Sequence, residues 1–179
     1  DLKLILGKMR CLGAMGEYEG VREISQIYWP RLDSSSDSHT KARTKMAPIF
    51  ARACWFMNDW GSMKRFAQHT EENGIQGSIL RAIVAFQDEN FESAKKYINK
   101  SRDLLATKLS ASVVESYNRA YRQIVSVQQL EELDEILMYK QKVKVFGKDS
   151  PESQKHLQKM HNMWSKRLRG AQENVEVRE

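Results

Sequence analysis

The stretch ILRAIVAFQDENFESAKKYINKSRDLL, residues 79–105, shows the pattern on which the fold depends. Apolar residues recur every three or four positions before the polar triplet Asp88-Glu89-Asn90 and again after it, which is the period of an α-helix with one buried face. Phe91 directly follows the triplet and opens the second apolar pattern. The sequence therefore predicts a helix, a tight polar turn and a second helix that returns antiparallel to the first.

This pattern of two helices around a polar turn occurs four times along the chain. A large residue starts the second helix at Tyr18, Trp60, Phe91 and Leu130, and the spacing suits irregular helix-turn-helix repeats. No segment alternates with period two for long enough to form a strand. The predicted fold is all-α, a tetratricopeptide-like α-solenoid of stacked antiparallel helical hairpins. The predicted structural anchors of the repeats are Tyr18, Trp60, Phe91, Tyr117, Tyr121 and Leu130.

Changes in composition divide the chain into three predicted parts. Residues 1–140 hold the four repeats, residues 141–153 form a basic, flexible connection, and residues 154–179 begin a further helical repeat. Within the first part, DSSSDS at 33–38 is interpreted as a solvated linker. Pro48 is expected to start or kink its helix, because the proline ring cannot continue the preceding turn.

The composition is that of a globular intracellular protein. The 179 residues are 41% hydrophobic and 29% charged, without an apolar run long enough for a membrane span. Two cysteines cannot form a disulfide framework, so Cys11 and Cys54 are predicted to be reduced thiols packed in the core. The chain begins with Asp1 rather than Met and shows no targeting pattern, from which we expect a fragment of a longer protein.

Positive charge is concentrated near the end of the chain. Residues 140–169 hold nine lysines and arginines against two carboxylates, whereas the whole chain has a net charge of +6. Such a cluster suits a multiply phosphorylated ligand, and a solvated helix face is the alternative. The candidate polyanion-binding residues are Lys155, Lys159, Lys166, Arg167 and Arg169, aided by the lysines of residues 140–148.

No catalytic, cofactor-binding or metal-binding constellation is predicted. Phosphate-cradling and protein-kinase motifs are absent, and His156 and His161 are five residues apart, which does not align two metal ligands on a helix. The tryptophans are too scattered for a nucleic-acid platform. A run of carboxylates is interpreted as the solvent face of an amphipathic helix: Glu131, Glu132, Asp134 and Glu135.

Several separate motifs agree in order and spacing with one known family. Downstream they are Arg102-Asp103-Leu104-Leu105, Glu115-Ser116-Tyr117, Arg119-Ala120-Tyr121, Glu132-Leu133 with Glu135, and Tyr139-Lys140. Upstream they are LKLILGKMRCL at 2–12, GEYEG at 16–20, DWGSM at 59–63, and Arg81-Ala82 before Phe91. Together they resemble the FAT domain of target-of-rapamycin (TOR) kinases over residues 2–140, and more weakly over 164–172.

The resemblance implies a segment of a very large Ser/Thr protein kinase of the phosphatidylinositol-3-kinase-related class. In that family the FAT domain is a curved helical solenoid that clamps and restrains the kinase domain and supports assembly with TOR complex subunits in nutrient and growth signalling. ATP and Mg²⁺ belong to the kinase domain, downstream of the FAT domain. Such kinases are cytoplasmic, and are also found at endomembranes and in the nucleus.

Family members also bind inositol hexakisphosphate in a basic FAT pocket. No ligand residues are transferred from the family, because residues 141–153 depart from its pattern. DSSSDS and Pro48 also depart from it, which indicates a divergent eukaryotic member.

Two functions from different classes follow. The first is a non-catalytic scaffold segment of a TOR-type kinase, whose partners are the kinase domain of the same polypeptide and the complex subunits. The alternative is a free-standing basic α-helical module that binds a polyanion, with an inositol polyphosphate favoured over nucleic acid.

Overall fold

A computed structural model describes residues 2–32, 36–113 and 117–170. For residues 111–113, 117–119 and 122 it describes the backbone but not the side chains. Within these residues the chain forms eight α-helices and one short 3-10 helix, and no strand. The all-α prediction is therefore confirmed. Among the described helices, none combines the length and apolar character needed to cross a membrane.

The chain divides into two compact units, Asp1–Glu89 and Asn90–Glu179. The described helices of the first unit are α1 (Leu2–Ala14), α2 (Tyr18–Tyr28), the 3-10 helix (Trp29–Arg31), α3 (Asp37–Phe56), α4 (Trp60–Ala67) and α5 (Ile75–Gln87). Consecutive helices contact each other, and α3 also contacts both α1 and α5. The helices α1, α3 and α5 therefore form one layer, against which α2 and α4 pack.

Residues with a left-handed backbone conformation end α1 and α3 and produce the tight turns that follow these helices. Gly16 has a φ of 75° after α1, and Asn58 has a φ of 58° after α3. In both turns the next N–H reaches back to a helix carbonyl at 2.9 Å, from Glu17 to Leu12 and from Asp59 to Cys54. Glycine and asparagine adopt this conformation most readily, which explains why these helices end where they do.

Polar side chains begin the returning helices. The Asp59 Oδ1 accepts the Ser62 N–H at 3.0 Å, and the Asn90 Oδ1 accepts the Ser93 N–H at 3.1 Å. Each caps an otherwise unpaired helix N–H group. Consequently the large residues that follow, Trp60 and Phe91, are the first residues of α4 and of α6 (Phe91–Val113). Tyr18 is likewise the first residue of α2.

Aromatic rings and methionines form a cluster in the core of the first unit. Trp29 meets Phe66 edge-on with ring centroids 4.9 Å apart, and it meets Phe50 in the same way at 5.8 Å. Phe50 and Phe66 are themselves 5.2 Å apart, and both are buried. Met46 and Met63 are fully buried as well. Edge-on ring pairs add to the stabilisation that comes from burial, so this cluster is the centre of the unit.

The two cysteines have different environments. Cys54 is buried as predicted, and burial, aided by the Asp59 charge, raises its thiol pKa to about 11. Cys11 is exposed, so its predicted core packing is wrong. It lies two residues after the buried Met9, and two residues correspond to about 200° around a helix.

Pro48 was expected either to start or to kink its helix, and the first alternative is wrong because α3 passes through Pro48. The helix begins at Asp37, within the segment interpreted as a linker; residues 33–35 of that segment lie outside the described residues. An internal proline costs about 3 kcal/mol. Ala47 and Phe50, on either side of it in the sequence, are both buried.

The second unit contains three described helices, α6 (Phe91–Val113), α7 (Tyr117–Phe146) and α8 (Pro151–Gly170). Helix α7 contacts both neighbours. It is continuous where a turn was predicted before Leu130, because residues 123–129 contain no glycine, proline, asparagine or aspartate to end a helix. Leu130 is buried in the middle of α7.

The boundary between the predicted repeats and the predicted connection differs from the boundary of α7. Helix α7 extends to Phe146, so the first residues of the predicted flexible connection are helical, and the turn is confined to Gly147, with a φ of 87°, and the three residues that follow. Of the other predicted anchors, Tyr121 is half-buried, and the side chain of Tyr117 lies outside the described residues.

Candidate functional site

Helix α8 carries the candidate site and has a well-defined start. The Ser150 Oγ accepts the Ser153 N–H at 3.1 Å and donates to the Gly147 carbonyl at 3.0 Å. Pro151 occupies the first helical position, where its missing N–H has no cost. Ser153 is fully buried, which fixes this end of the helix in the second unit.

An open groove of about 740 Å³ follows one side of α8. Four of the five candidate polyanion-binding residues line it, namely Lys155, Lys159, Lys166 and Arg167. They alternate with Gln158, Asn162 and Met163, so the lining residues that the structure describes all belong to α8. Arg169, the fifth candidate, lies outside the groove and donates from its Nε to the Ser165 carbonyl at 3.3 Å.

Arg167 is neutralised by a carboxylate on the neighbouring helix. Its two terminal nitrogens donate to Glu135 on α7 at 2.7 and 2.9 Å, and the Trp164 Nε1 donates to the same carboxylate at 2.6 Å. These hydrogen bonds raise the pKa of Arg167. We call these three residues the Glu135 cluster. Because Arg167 is paired, the uncompensated charge of the groove comes, among the described residues, from three lysines.

We call Lys155, Lys159 and Lys166 the basic face of α8. All three side chains are exposed, and in the part of the chain that the structure describes they have no acidic partner. Two lysines of the preceding segment have contacts of their own, since Lys142 lies 3.1 Å from the His156 Nδ1 and Lys144 lies over the Phe91 ring.

His156 lies beside this face in a cationic environment. Its ring stacks on Tyr139 with centroids 6.3 Å apart. Burial, followed by the charges of Lys142 and Lys159, lowers the pKa of His156. The neutral imidazole can accept a hydrogen bond from Lys142, so His156 adds no charge to the basic face at neutral pH.

A second charged cluster on α7 was not predicted. Asp134 is only 5% exposed, and its carboxylate accepts hydrogen bonds from Lys95 at 2.7 Å and from Arg102 at 2.8 Å, both on α6. Arg102 also donates to Glu131 at 2.9 Å. These four residues form the Asp134 cluster, which joins α6 to α7.

The interpretation of these carboxylates as a solvent face is therefore wrong for Asp134 and for Glu135, whose side chain is only 13% exposed. Burial alone raises the pKa of Asp134, but the hydrogen bonds and charges of Lys95 and Arg102 outweigh burial and lower it. The sequence did contain a signal. Asp134 lies four residues after Leu130 and three before Leu137, on the same buried side of α7.

Comparison with known proteins places this architecture in a family. A model of the FAT domain family matches residues 47–179. The chain is 36% identical to the serine/threonine-protein kinase mTor of Drosophila melanogaster over 176 residues, which cover 98% of the chain and 6% of that protein. It is 32% identical to the serine/threonine-protein kinase TOR of Oryza sativa subsp. japonica over 194 residues, 99% of the chain and 8% of that protein.

A third relative is the target of rapamycin homolog of Caenorhabditis elegans, 35% identical over 94% of the chain and 6% of the relative. The chain thus spans less than a tenth of the length of these curated relatives. Its agreement with them extends over nearly all of its own length, and the family match covers most of it. The chain therefore belongs to the FAT domain family.

Proposed function

We propose that this chain is a non-catalytic scaffold segment of a TOR-type Ser/Thr protein kinase. In this role it would clamp the kinase domain of the same polypeptide and restrain its activity. The observation that carries the proposal is the similarity to TOR kinases along nearly the whole chain. This similarity favours a kinase segment over a free-standing basic module.

The contacts between helices in the second unit suit such a role. The Asp134 cluster joins α6 to α7, and the Glu135 cluster joins α7 to α8. Charge-assisted hydrogen bonds with bidentate geometry are directional as well as strong. The three helices are thereby fixed against sliding along one another, and a fixed group of helices can transmit restraint to a neighbouring domain.

Loosening the Asp134 cluster should therefore release the kinase. In the full-length polypeptide that carries this chain, we expect Asp134→Asn to raise basal phosphate transfer to a protein substrate. The increase should reach up to about tenfold, because a loss of about 1.4 kcal/mol of restraint corresponds to a factor of ten. The matched control is Asp103→Asn on α6, which makes the same chemical change at an exposed position.

Hydrogen exchange of α6 and α7 verifies that the cluster has been broken. Unchanged activity together with faster exchange would contradict the restraint mechanism.

A simpler experiment tests the kinase assignment itself. Sequencing the transcript beyond Glu179 should reveal an in-frame kinase domain with its catalytic and metal-binding loops. An immediate stop codon, with a start codon just upstream of this chain, would contradict the proposal and favour the free-standing basic module.

A further inference from the structure

The basic face of α8 has an elongated shape rather than a compact one. Lys155 and Lys166 are eleven residues apart, or about 16 Å along a helix, and Lys159 lies between them. Met163 lies in the same groove. Since the lining residues all come from α8, the groove has one wall, and within the described residues no other helix covers it.

Among the described lining residues, the groove combines one apolar side chain, Met163, with cationic and amide groups. Met163 provides a flexible apolar surface, and the methylene groups of the lysines can extend it while their ammonium groups stay in water. A compact polyphosphate binds best where cations converge on one point, whereas these three lysines are distributed along one side of a helix. A helix that carries carboxylates along one side and an apolar residue between them matches both features.

We propose that the groove along α8 binds an acidic amphipathic helix of a protein partner. The carboxylates of that helix would face Lys155, Lys159 and Lys166, at spacings close to i, i+4 and i+11. An aliphatic residue of the partner would cover Met163. This inference does not depend on the kinase function proposed above, because it concerns only the chemistry of the α8 surface.

Charge supplies the orientation of such a complex, and the apolar contact supplies specificity. Exposed ion pairs each contribute little free energy and are screened by salt. Contacts at the centre of an interface, from which water is excluded, dominate binding. The proposal therefore requires that Met163 matter as well as the lysines, which distinguishes a helix from a charge-only ligand.

The test uses the whole chain and a synthetic peptide probe. The probe is a fluorescent helical peptide of about 18 residues, stapled on its outer side, with glutamates at i, i+4 and i+11 and a leucine between them. A stapled peptide of the same composition in scrambled order is its control. Fluorescence anisotropy should show at least about tenfold tighter binding of the ordered peptide, or about 1.4 kcal/mol.

Variants assign the binding to the groove. Lys159→Glu should weaken binding of the ordered peptide by about tenfold or more, and Met163→Gln by about threefold to fivefold. The control Lys96→Glu makes the same charge change at an exposed position on α6 and should leave binding unchanged. Circular dichroism checks the fold of each variant, and Lys155→Ser replaces Lys159→Glu if the latter unfolds.

Three outcomes would overturn the proposal. They are equal binding of the scrambled peptide, no binding of either peptide, and an ordered peptide insensitive to Met163→Gln. If inositol hexakisphosphate binds and displaces both peptides equally, and Met163→Gln has no effect on it, the surface is a polyanion site rather than a helix-binding groove.

Discussion

The two units of this chain are stabilised by different kinds of interaction. In Asp1–Glu89 the described core is apolar and includes a cluster of aromatic rings and methionines around Phe50 and Phe66. In Asn90–Glu179 the contacts between helices also include two charged clusters, centred on Asp134 and Glu135. Apolar packing responds weakly to pH, whereas buried carboxylates stabilise only while ionised. The two units, although both are helical, should therefore lose stability under different conditions, and acid should affect the second unit more than the first.

The largest effect should come from the aromatic core of the first unit. Phe66→Ala removes a side chain that is 2% exposed and touches both Trp29 and Phe50. We expect a loss of about 3–5 kcal/mol, because the cavity left behind adds to the lost transfer free energy. Urea unfolding measures the loss, and hydrogen exchange should place it in α3 and α4. A loss below about 1 kcal/mol would contradict the packing described here.

A smaller effect is expected in the second unit. Asp134→Asn keeps the shape of the side chain but removes the negative charge that pairs with both Lys95 and Arg102. We expect a loss of about 2 kcal/mol at pH 7, since hydrogen bonds to charged groups contribute about 1.5–3 kcal/mol. The faster hydrogen exchange should appear in α6 and α7, in contrast to Phe66→Ala.

The pH dependence of this variant sharpens the comparison. The folded pKa of Asp134 is lowered, so its stabilisation is complete above the unfolded pKa of about 3.9 and is lost as the pH falls through the folded pKa. The difference between the original chain and Asp134→Asn should be constant from about pH 5 to 7 and shrink below about pH 4. A difference that grows in acid would contradict the pairing of Asp134.

The smallest effect should come from an exposed ion pair in the first unit. Lys64 contacts Asp88, and both side chains are about half exposed, at 52% and 45%. Asp88→Asn should therefore cost about 0.5 kcal/mol or less, and less still in high salt. The same substitution in the two units thus compares an exposed carboxylate with a buried one. Equal losses for Asp88→Asn and Asp134→Asn would remove the distinction between the units.

Local features of the fold could be predicted from the sequence, whereas contacts between helices could not. The starts of α4 and α6 follow from Asp59 and Asn90, because a capping side chain acts within three residues. The false turn before Leu130 arose from extending the repeat pattern into a segment that contains no helix-ending residue.

The charged clusters show where sequence reasoning stops. The position of Asp134 on the buried side of α7 was visible in the spacing of its neighbours. Its partners were not, because Lys95 and Arg102 lie 39 and 32 residues away, and the register of α6 against α7 depends on packing along both helices. The basic residues of α8 were identified from their types, but only the structure separates the paired Arg167 from the three lysines that have no acidic partner among the described residues.

The contrast between the two cysteines has a practical consequence. A thiol with a pKa of about 11 that is shielded from solvent reacts slowly with maleimides at neutral pH, whereas the exposed Cys11 on α1 is accessible to them. The native chain therefore offers one labelling site without any engineering. A second label at Cys54 would report each opening of α3, so that pulsed alkylation could time the fluctuations of the first unit.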